Sequence, residues 1–284
     1  MSFEYHATRA LPEALALMAR HGDDAFLVAG GTAFTLLWRQ GLVRPAHVVG
    51  IRDVRDIGGI RRGAQGGLEI GAGVTHRQAE RSPEVAAFCP ALASAFASVA
   101  TIRVRNQATV GGNLAHADPA QDPPAMLLAL DAEAVVASAR GERTIHMRDL
   151  FVDYLQSSLA QGEIVRHVRI PALAPGTRAS YTKFLPRTHD DYATVSVAAV
   201  IRRDDDGRVA DVRVALGAVG PTPIRATAVE RALAGTKADA ATIADAAALV
   251  RDEIDPLDDA RGSAVYKREM ARVWTQRALT ALVA

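Results

Sequence analysis

Apolar residues first recur at helical spacing, Leu11, Leu15 and Met18, with Pro12 suited to a first helical turn. This predicts an amphipathic helix ending near His21-Gly22. Ala25 to Ala29 is a short apolar run and reads as a strand. Gly30-Gly31 then turns the chain, Thr32 is placed to cap a helix over Ala33 to Arg39, and His47 to Ile51 reads as a second strand after Pro45. Strand, glycine turn, helix and strand make a small α/β unit.

From about residue 57 short β-like pieces, Gly58 to Arg61 and Leu68 to Ala72, alternate with glycine turns. Gln78 begins a helical patch, and Pro83 to Ala100 reads as one long Ala-rich helix. The stretch Ala108 to Pro124 holds a glycine pair, short polar side chains and three prolines between apolar segments. Glycine permits positive φ and proline removes an amide donor, so this stretch is expected to be a loop. Pro123 to Leu130 reads as a short helix. Glu133 to Ala139 and Arg143 to Met147 form a hairpin pattern, and Glu163 to Ile170 a strand stopped by Pro171. Pro171 to Arg178 looks like a linker. Strand patterns around Tyr181 to Leu185, Ala193 to Arg202 and Val209 to Leu216 then predict an antiparallel sheet, with a polar loop from Arg187 to Asp191. The remainder is helical: Ile224 to Ala234, Ala238 to Arg251 and Ser263 to Val283. The expected architecture is α+β, in two domains at 1–174 (subdomains about 1–55 and 56–174) and 175–284.

Composition narrows the function classes. The chain has 284 residues, 49% of them hydrophobic, and a net charge of +1. That is enough for about two globular domains, and the charge balance argues against a nucleic-acid partner. No run of about 18 apolar residues exists to span a membrane. The start, Met1 to His6, lacks a basic region followed by an apolar one, so a cytoplasmic location is expected. The single cysteine, Cys89, excludes an internal disulfide and an iron–sulfur cluster held by this chain's own thiolates.

Known nucleotide and hydrolase motifs are missing. Neither glycine pair continues into the Gly-Lys-Ser/Thr ending of a phosphate loop, and Gly71-Ala72-Gly73-Val74-Thr75-His76 supplies only two glycines of a dinucleotide fingerprint. No nucleophile elbow or zinc-protease motif occurs, and the eight histidines show no metal-ligand spacing, so no metal ligand is expected. The glycine pairs do carry chemistry. Amides in a Gly-Gly turn that opens a helix form an anion-binding concavity. Gly30-Gly31 with Thr32, and Gly111-Gly112 with Thr109 and Asn113, are two such turns, able to hold a pyrophosphate between them; the plainer alternative is two tight turns. Asp122 is either a helix cap before Pro123-Pro124 or an acceptor for a ribityl or ring N–H group. Lys183 is either a solvated strand lysine or a cation near a reducible ring. His76 and His116 either line a pocket or lie on the surface.

Several segments together resemble a known family. They are Phe26 to Thr32; Thr101 to Leu114 (TIRVRNQATVGGNL); Asp118 to Pro124; Lys183 to Arg187 with Asp191-Tyr192-Ala193; and Arg261 to Arg268 (RGSAVYKR). They are similar to the FAD-binding medium subunit of molybdenum hydroxylases, the carbon monoxide dehydrogenase and xanthine dehydrogenase group. The resemblance implies a vanillyl-alcohol-oxidase (PCMH)-type FAD-binding domain of two α/β subdomains and a smaller C-terminal α/β domain. It implies that Ala29, Gly30, Gly31, Thr32 and Ala33, with Thr109, Gly111, Gly112 and Asn113, hold the pyrophosphate. It further implies that Asp122 contacts the flavin, that Val165 and Lys183 lie near the isoalloxazine, and that Tyr192 can shield it. Thr32-Ala33 departs from the polar pair that relatives often carry there.

The resemblance also implies no substrate chemistry on this chain. A large subunit with molybdenum bound to molybdopterin cytosine dinucleotide transforms the substrate, and a small subunit carries two [2Fe-2S] clusters. Electrons pass through FAD to an external acceptor, in a dimer of heterotrimers. Two other readings remain at this stage: a freestanding flavoprotein oxidase acting directly on a small substrate, and a non-enzymatic assembly module.

Overall fold

The computed structural model describes residues 3–186, 188 and 190–284. Arg187, part of the predicted polar loop and of the motif around Lys183, lies outside them.

The first sheet has three parallel strands, β1 (Glu4–Ala7), β2 (Ala25–Val28) and β3 (His47–Gly50), in the order β1-β3-β2. Helices Leu11–His21 and Thr32–Gln40 make the crossovers that parallel strands require. Helix Thr32–Gln40 buries none of its residues, and β2 is half-buried throughout, so this unit presents much of its apolar surface. Thr32 is the first helical residue, not the cap. Gly31 occupies the cap position in the left-handed region at φ 71°, where glycine carries no Cβ penalty.

Next come β4 (Ile60–Arg62), β5 (Leu68–Gly71), β6 (Glu133–Ser138), β7 (Gly141–His146), a small hairpin β8 (Phe151–Asp153) and β9 (Gln156–Ser157), and β10 (Ile164–Ile170). Strands β4, β5, β10, β6 and β7 form a five-stranded antiparallel sheet in that order. The expected long helix over residues 83–100 is two helices, Pro83–Phe88 and Pro90–Ala97, preceded by His76–Arg81. Pro90 has no amide to continue the first, and Cys89 between them is extended. The expected polar loop is also largely helical. Thr109 caps helix Val110–His116, and a second helix, Asp122–Ala129, follows. All eight residues of the second are buried.

The C-terminal sheet is antiparallel, β11 (Arg178–Phe184), β12 (Val195–Arg203), β13 (Val209–Gly217) and β14 (Ile224–Arg225), in sequence order. The last strand was expected to be the start of a helix, which instead begins at Thr227. Strand β12 is buried from Val195 to Ile201, the pattern of a strand covered on both faces. Val195, Val197, Ala199 and Ile201 join the core formed with helix Ala264–Val283. Ala198 and Val200, alternating with them, join the core that holds helix Asp122–Ala129. Helix 122–129 is thus wedged between the two halves of the molecule.

Candidate cofactor site

The first glycine pair meets, through Gly30, the segment that precedes the second pair. A Cβ on Gly30 would lie far inside van der Waals contact with the Gln107 carbonyl oxygen, so only glycine lets the first turn close on the backbone at 107–108. Arg52, just past β3, adds a hydrogen bond to Gln107 Oε1 at 3.1 Å. Immediately after this contact helix 32–40 begins, and among the described residues the amides of Thr32, Ala33 and Phe34 have no hydrogen-bond acceptor. Ala29, which precedes the turn, is half-buried. Three free amides at a helix start, with the positive end of the helix dipole, have the chemistry to take an anion.

The second pair is built differently. Residues 108–111 lie antiparallel to residues 72–76: His76 N donates to Ala108 O at 2.9 Å, Val110 N to Val74 O at 2.9 Å, and Gly111 N to Ala72 O at 2.8 Å. A Cβ on Gly111 would come within 2.5 Å of the Ala72 Cβ. Gly112 N donates to the capping Thr109 Oγ1 at 3.1 Å, and Asn113 N to Thr109 O at 2.9 Å. The expected nest of free amides at 111–113 is therefore absent, because tertiary and capping bonds use them. What remains is the Asn113 side chain. It is buried, and its carbonyl oxygen has no partner among the described residues. A half-turn of the amide presents the N–H₂ group there instead. The weak fingerprint at 71–76 is the strip on which this segment docks. Arg166 O, next to Val165, accepts from Ala72 N at 3.0 Å, which ties β10 to the same place. Val165 is buried beside the register shift of β10.

Asp122 and Lys183 pair with each other, and neither plain reading of them stands. Asp122 is inside the helix; Gln121 occupies the cap position. Its Oδ2 accepts from Lys183 Nζ at 2.9 Å and its Oδ1 from the Tyr181 hydroxyl at 2.6 Å. Lys183 Nζ also donates to Ser98 O at 2.8 Å, and its side chain is only 7% exposed, so it is not a solvated lysine. Burial pushes the Asp122 carboxyl up to about 6, against the opposite pull of Lys183 and Tyr181. Tyr181 escaped the sequence reading, although it stands two residues from Lys183 on the same strand face, a period-two relation that would have pointed to it.

Tyr192 lies with residues from distant segments. The Arg261 guanidinium stands 5.4 Å from its ring centre and donates to Asp191 Oδ1 at 3.1 Å. Burial, and then the charge of Asp118, push the Tyr192 hydroxyl up to about 12. Leu185, Pro186, Asp191, Tyr192, Thr194 and Arg261 line a cleft of about 140 Å³. His116 is half-buried, whereas His76 is wholly buried against Phe96, with both ring nitrogens unpaired among the described residues. Burial lowers its pKa to about 4. One segment, 107–122, thus touches the glycine turn, β11 and the Tyr192 cleft.

Comparison with known proteins identifies the family. Residues 1–173 match the family model of the FAD binding domain in molybdopterin dehydrogenase, and residues 180–282 that of the CO dehydrogenase flavoprotein C-terminal domain. The chain is 36% identical to the carbon monoxide dehydrogenase medium chain of Hydrogenophaga pseudoflava, over 98% of this chain and 96% of that one. It is 34% identical to the 6-hydroxypseudooxynicotine dehydrogenase complex subunit alpha of Paenarthrobacter nicotinovorans, over 98% and 93%. It superposes on a solved structure of the Hydrogenophaga pseudoflava carbon monoxide dehydrogenase, one lacking the Mo-pyranopterin moiety, with a TM-score of 0.95 at 36% identity, covering 99% of this chain and 97% of that one. The chain belongs to the FAD-binding medium subunits of the molybdenum hydroxylase family.

Proposed function

We propose that this chain is the electron-transfer subunit of a dimer of heterotrimers, taking electrons from a small [2Fe-2S] subunit and delivering them through FAD to an external acceptor. A large subunit bearing molybdenum with molybdopterin cytosine dinucleotide does the substrate chemistry. The assembly works in the cytoplasm; among the described residues no helix is long and apolar enough to cross a membrane. The two working units are residues 1–174, with subdomains about 1–55 and 56–174, and 175–284.

The residues fit FAD. The observation that carries this is a pair of unsatisfied groups: the free amides at 32–34, just after the Gly30–Gln107 contact, and the buried, unpaired Asn113 side-chain oxygen. Ala29 to Ala33 with Thr109, Gly111, Gly112 and Asn113 would hold its pyrophosphate. Gly111 serves by letting the backbone approach Ala72, Gly112 by lying in the turn that Thr109 caps, and the amides of Thr32 and Ala33 serve as donors. Asp122, Val165, Lys183 and Tyr192 would face its ring system. FAD supplies the capacity to take electrons from one carrier and pass them to another. The protein's part is to bind, to orient and to keep charge balanced: Asp122 and Lys183 neutralise each other in a buried place, and the Tyr192 hydroxyl stays protonated at any working pH. No nucleophile or metal centre is required of this chain.

The test is flavin content and its reduction. The chain purified under native conditions is expected to carry one FAD. The holoenzyme's substrate is expected to bleach that flavin only when the two partner subunits are present. Bleaching of the isolated chain by a small substrate would replace this reading with that of a freestanding oxidase, and a colourless native preparation would remove both.

A further inference from the structure

Three histidines with no motif spacing between them come together on the first sheet. His6 is on β1, His47 opens β3, and His21 is the last residue of helix 11–21. The β1–β3 register pairs Glu4 with His47. Glu4 and His6, two residues apart, share a face of the strand. The helix end delivers His21 to the same place. One nitrogen from each ring lies within 4.8 Å of the other two. His6 Nε2 and His47 Nδ1 are 3.1 Å apart, and the His21 and His47 ring centres 3.7 Å. The Glu4 carboxylate is 3.4 Å from His47 Nδ1 and 3.9 Å from His6 Nε2.

We propose that His6, His21 and His47 bind one divalent transition-metal ion of the zinc class, with Glu4 or a water in the fourth position. Tetrahedral zinc holds imidazole nitrogens at about 2.0–2.1 Å, which sets neighbouring ligand nitrogens roughly 3.3 Å apart. The His6–His47 pair already has that spacing, and rotation of the His21 ring at the end of the first helix brings in the third. Imidazoles ligate as neutral rings. The carboxylate offsets the charge of the ion. All three histidines are half-buried and reachable from solvent.

Position argues for a structural ion. His47 pairs with Ala25 at the start of β2, whereas Gly30 follows the end of that strand. At about 3.3 Å per residue the two places are roughly 15 Å apart. The ion would staple β1, β3 and the first helix together, in the unit whose strand β2 is only half-buried and whose helix 32–40 buries none of its residues.

The test uses the untagged, FAD-loaded full chain, stripped of metal by a chelator. Titration with Co²⁺ is expected to give one equivalent of tetrahedral d–d absorption at wavelengths beyond the flavin bands. Zn²⁺ should displace it and raise the unfolding temperature, with flavin content unchanged. His21→Ala should weaken binding tenfold or more while retaining FAD, which shows that it folds. His21→Cys should keep the stoichiometry and add thiolate charge-transfer intensity, and His146→Ala, an exposed histidine elsewhere, should change nothing. Absence of the tetrahedral band, or several equivalents bound equally by wild type and His21→Ala, would overturn the proposal.

Discussion

Gly30-Gly31 and Gly111-Gly112 share a dipeptide and sit in opposite settings. The first pair opens a half-exposed helix in a subdomain with little buried surface. Gly31 holds a left-handed φ, Gly30 touches the Gln107 carbonyl, and the amides that follow are free. The second pair lies inside a helix of the main core, with Gly111 against Ala72 and every amide from 110 to 113 bonded. Within a helix, glycine costs about 1 kcal/mol relative to alanine, and at Gly111 its presence reflects a space too small for a Cβ. The same dipeptide is a donor site in one place and a packing device in the other. Changes behind the second pair should therefore cost stability, and changes at the first should cost ligand.

The largest effect is expected at Asp122. Asp122→Ala leaves the Lys183 ammonium buried without its carboxylate, which costs about 3–5 kcal/mol, read as a lower midpoint in chemical denaturation. An unchanged midpoint would show that the pair does not bind helix 122–129 to β11. Acid should act next, through His76 behind the second pair. Its folded pKa of about 4 lies below the usual 6.5, so the unfolded chain binds the proton first. His76 therefore contributes stability that is full above pH 6.5 and lost as pH falls toward 4, about 3 kcal/mol in all. The raised Asp122 carboxyl works in the opposite sense between pH 6 and 4, so the wild-type curve alone is flattened. The difference between wild type and His76→Leu isolates the histidine, and a pH-independent difference would contradict its buried neutral state.

Smaller effects divide the two pairs directly. Overpacking costs about 1–3 kcal/mol. For Gly30→Ala it should appear mainly as FAD affinity, weaker by roughly five- to 150-fold, measured by flavin retention on dilution. For Gly111→Ala it should appear mainly as a lower unfolding temperature of the apoprotein. If Gly111→Ala loses flavin at unchanged apoprotein stability, the assignment of the second pair to packing fails. Gly112→Ala has the smallest expected effect, under about 1 kcal/mol. Its Cβ would meet only the Thr109 hydroxyl at 3.0 Å, and helix propensity favours the change.

Much of the fold was legible along the chain. The spacing of Leu11, Leu15 and Met18, the strand patterns over 193–202 and 209–216, and the helical pattern from Ser263 to Val283 all predict elements that form. Pro90 was the missed stop inside the long Ala-rich run. The stretch at 108–124 was misread because glycine and proline propensities are weak priors: a threonine cap and a tight fit against Ala72 outweigh them. For the site, the sequence marked the glycine pairs, Asp122, Lys183 and Tyr192, and family resemblance said what such residues hold.

Local patterning by itself determined the two-part α+β organisation, the turn at Gly30-Gly31 and the absence of any cluster held by this chain's own cysteines. Only the tertiary structure decided which amides stay free, that Asp122 meets Lys183 and Tyr181 rather than capping a helix, and that His6, His21 and His47 stand together. The reason is one of range. Periodicity and turn chemistry act over a few residues, whereas hydrogen-bond partners and the space around a side chain are set by segments 15 to 140 residues away.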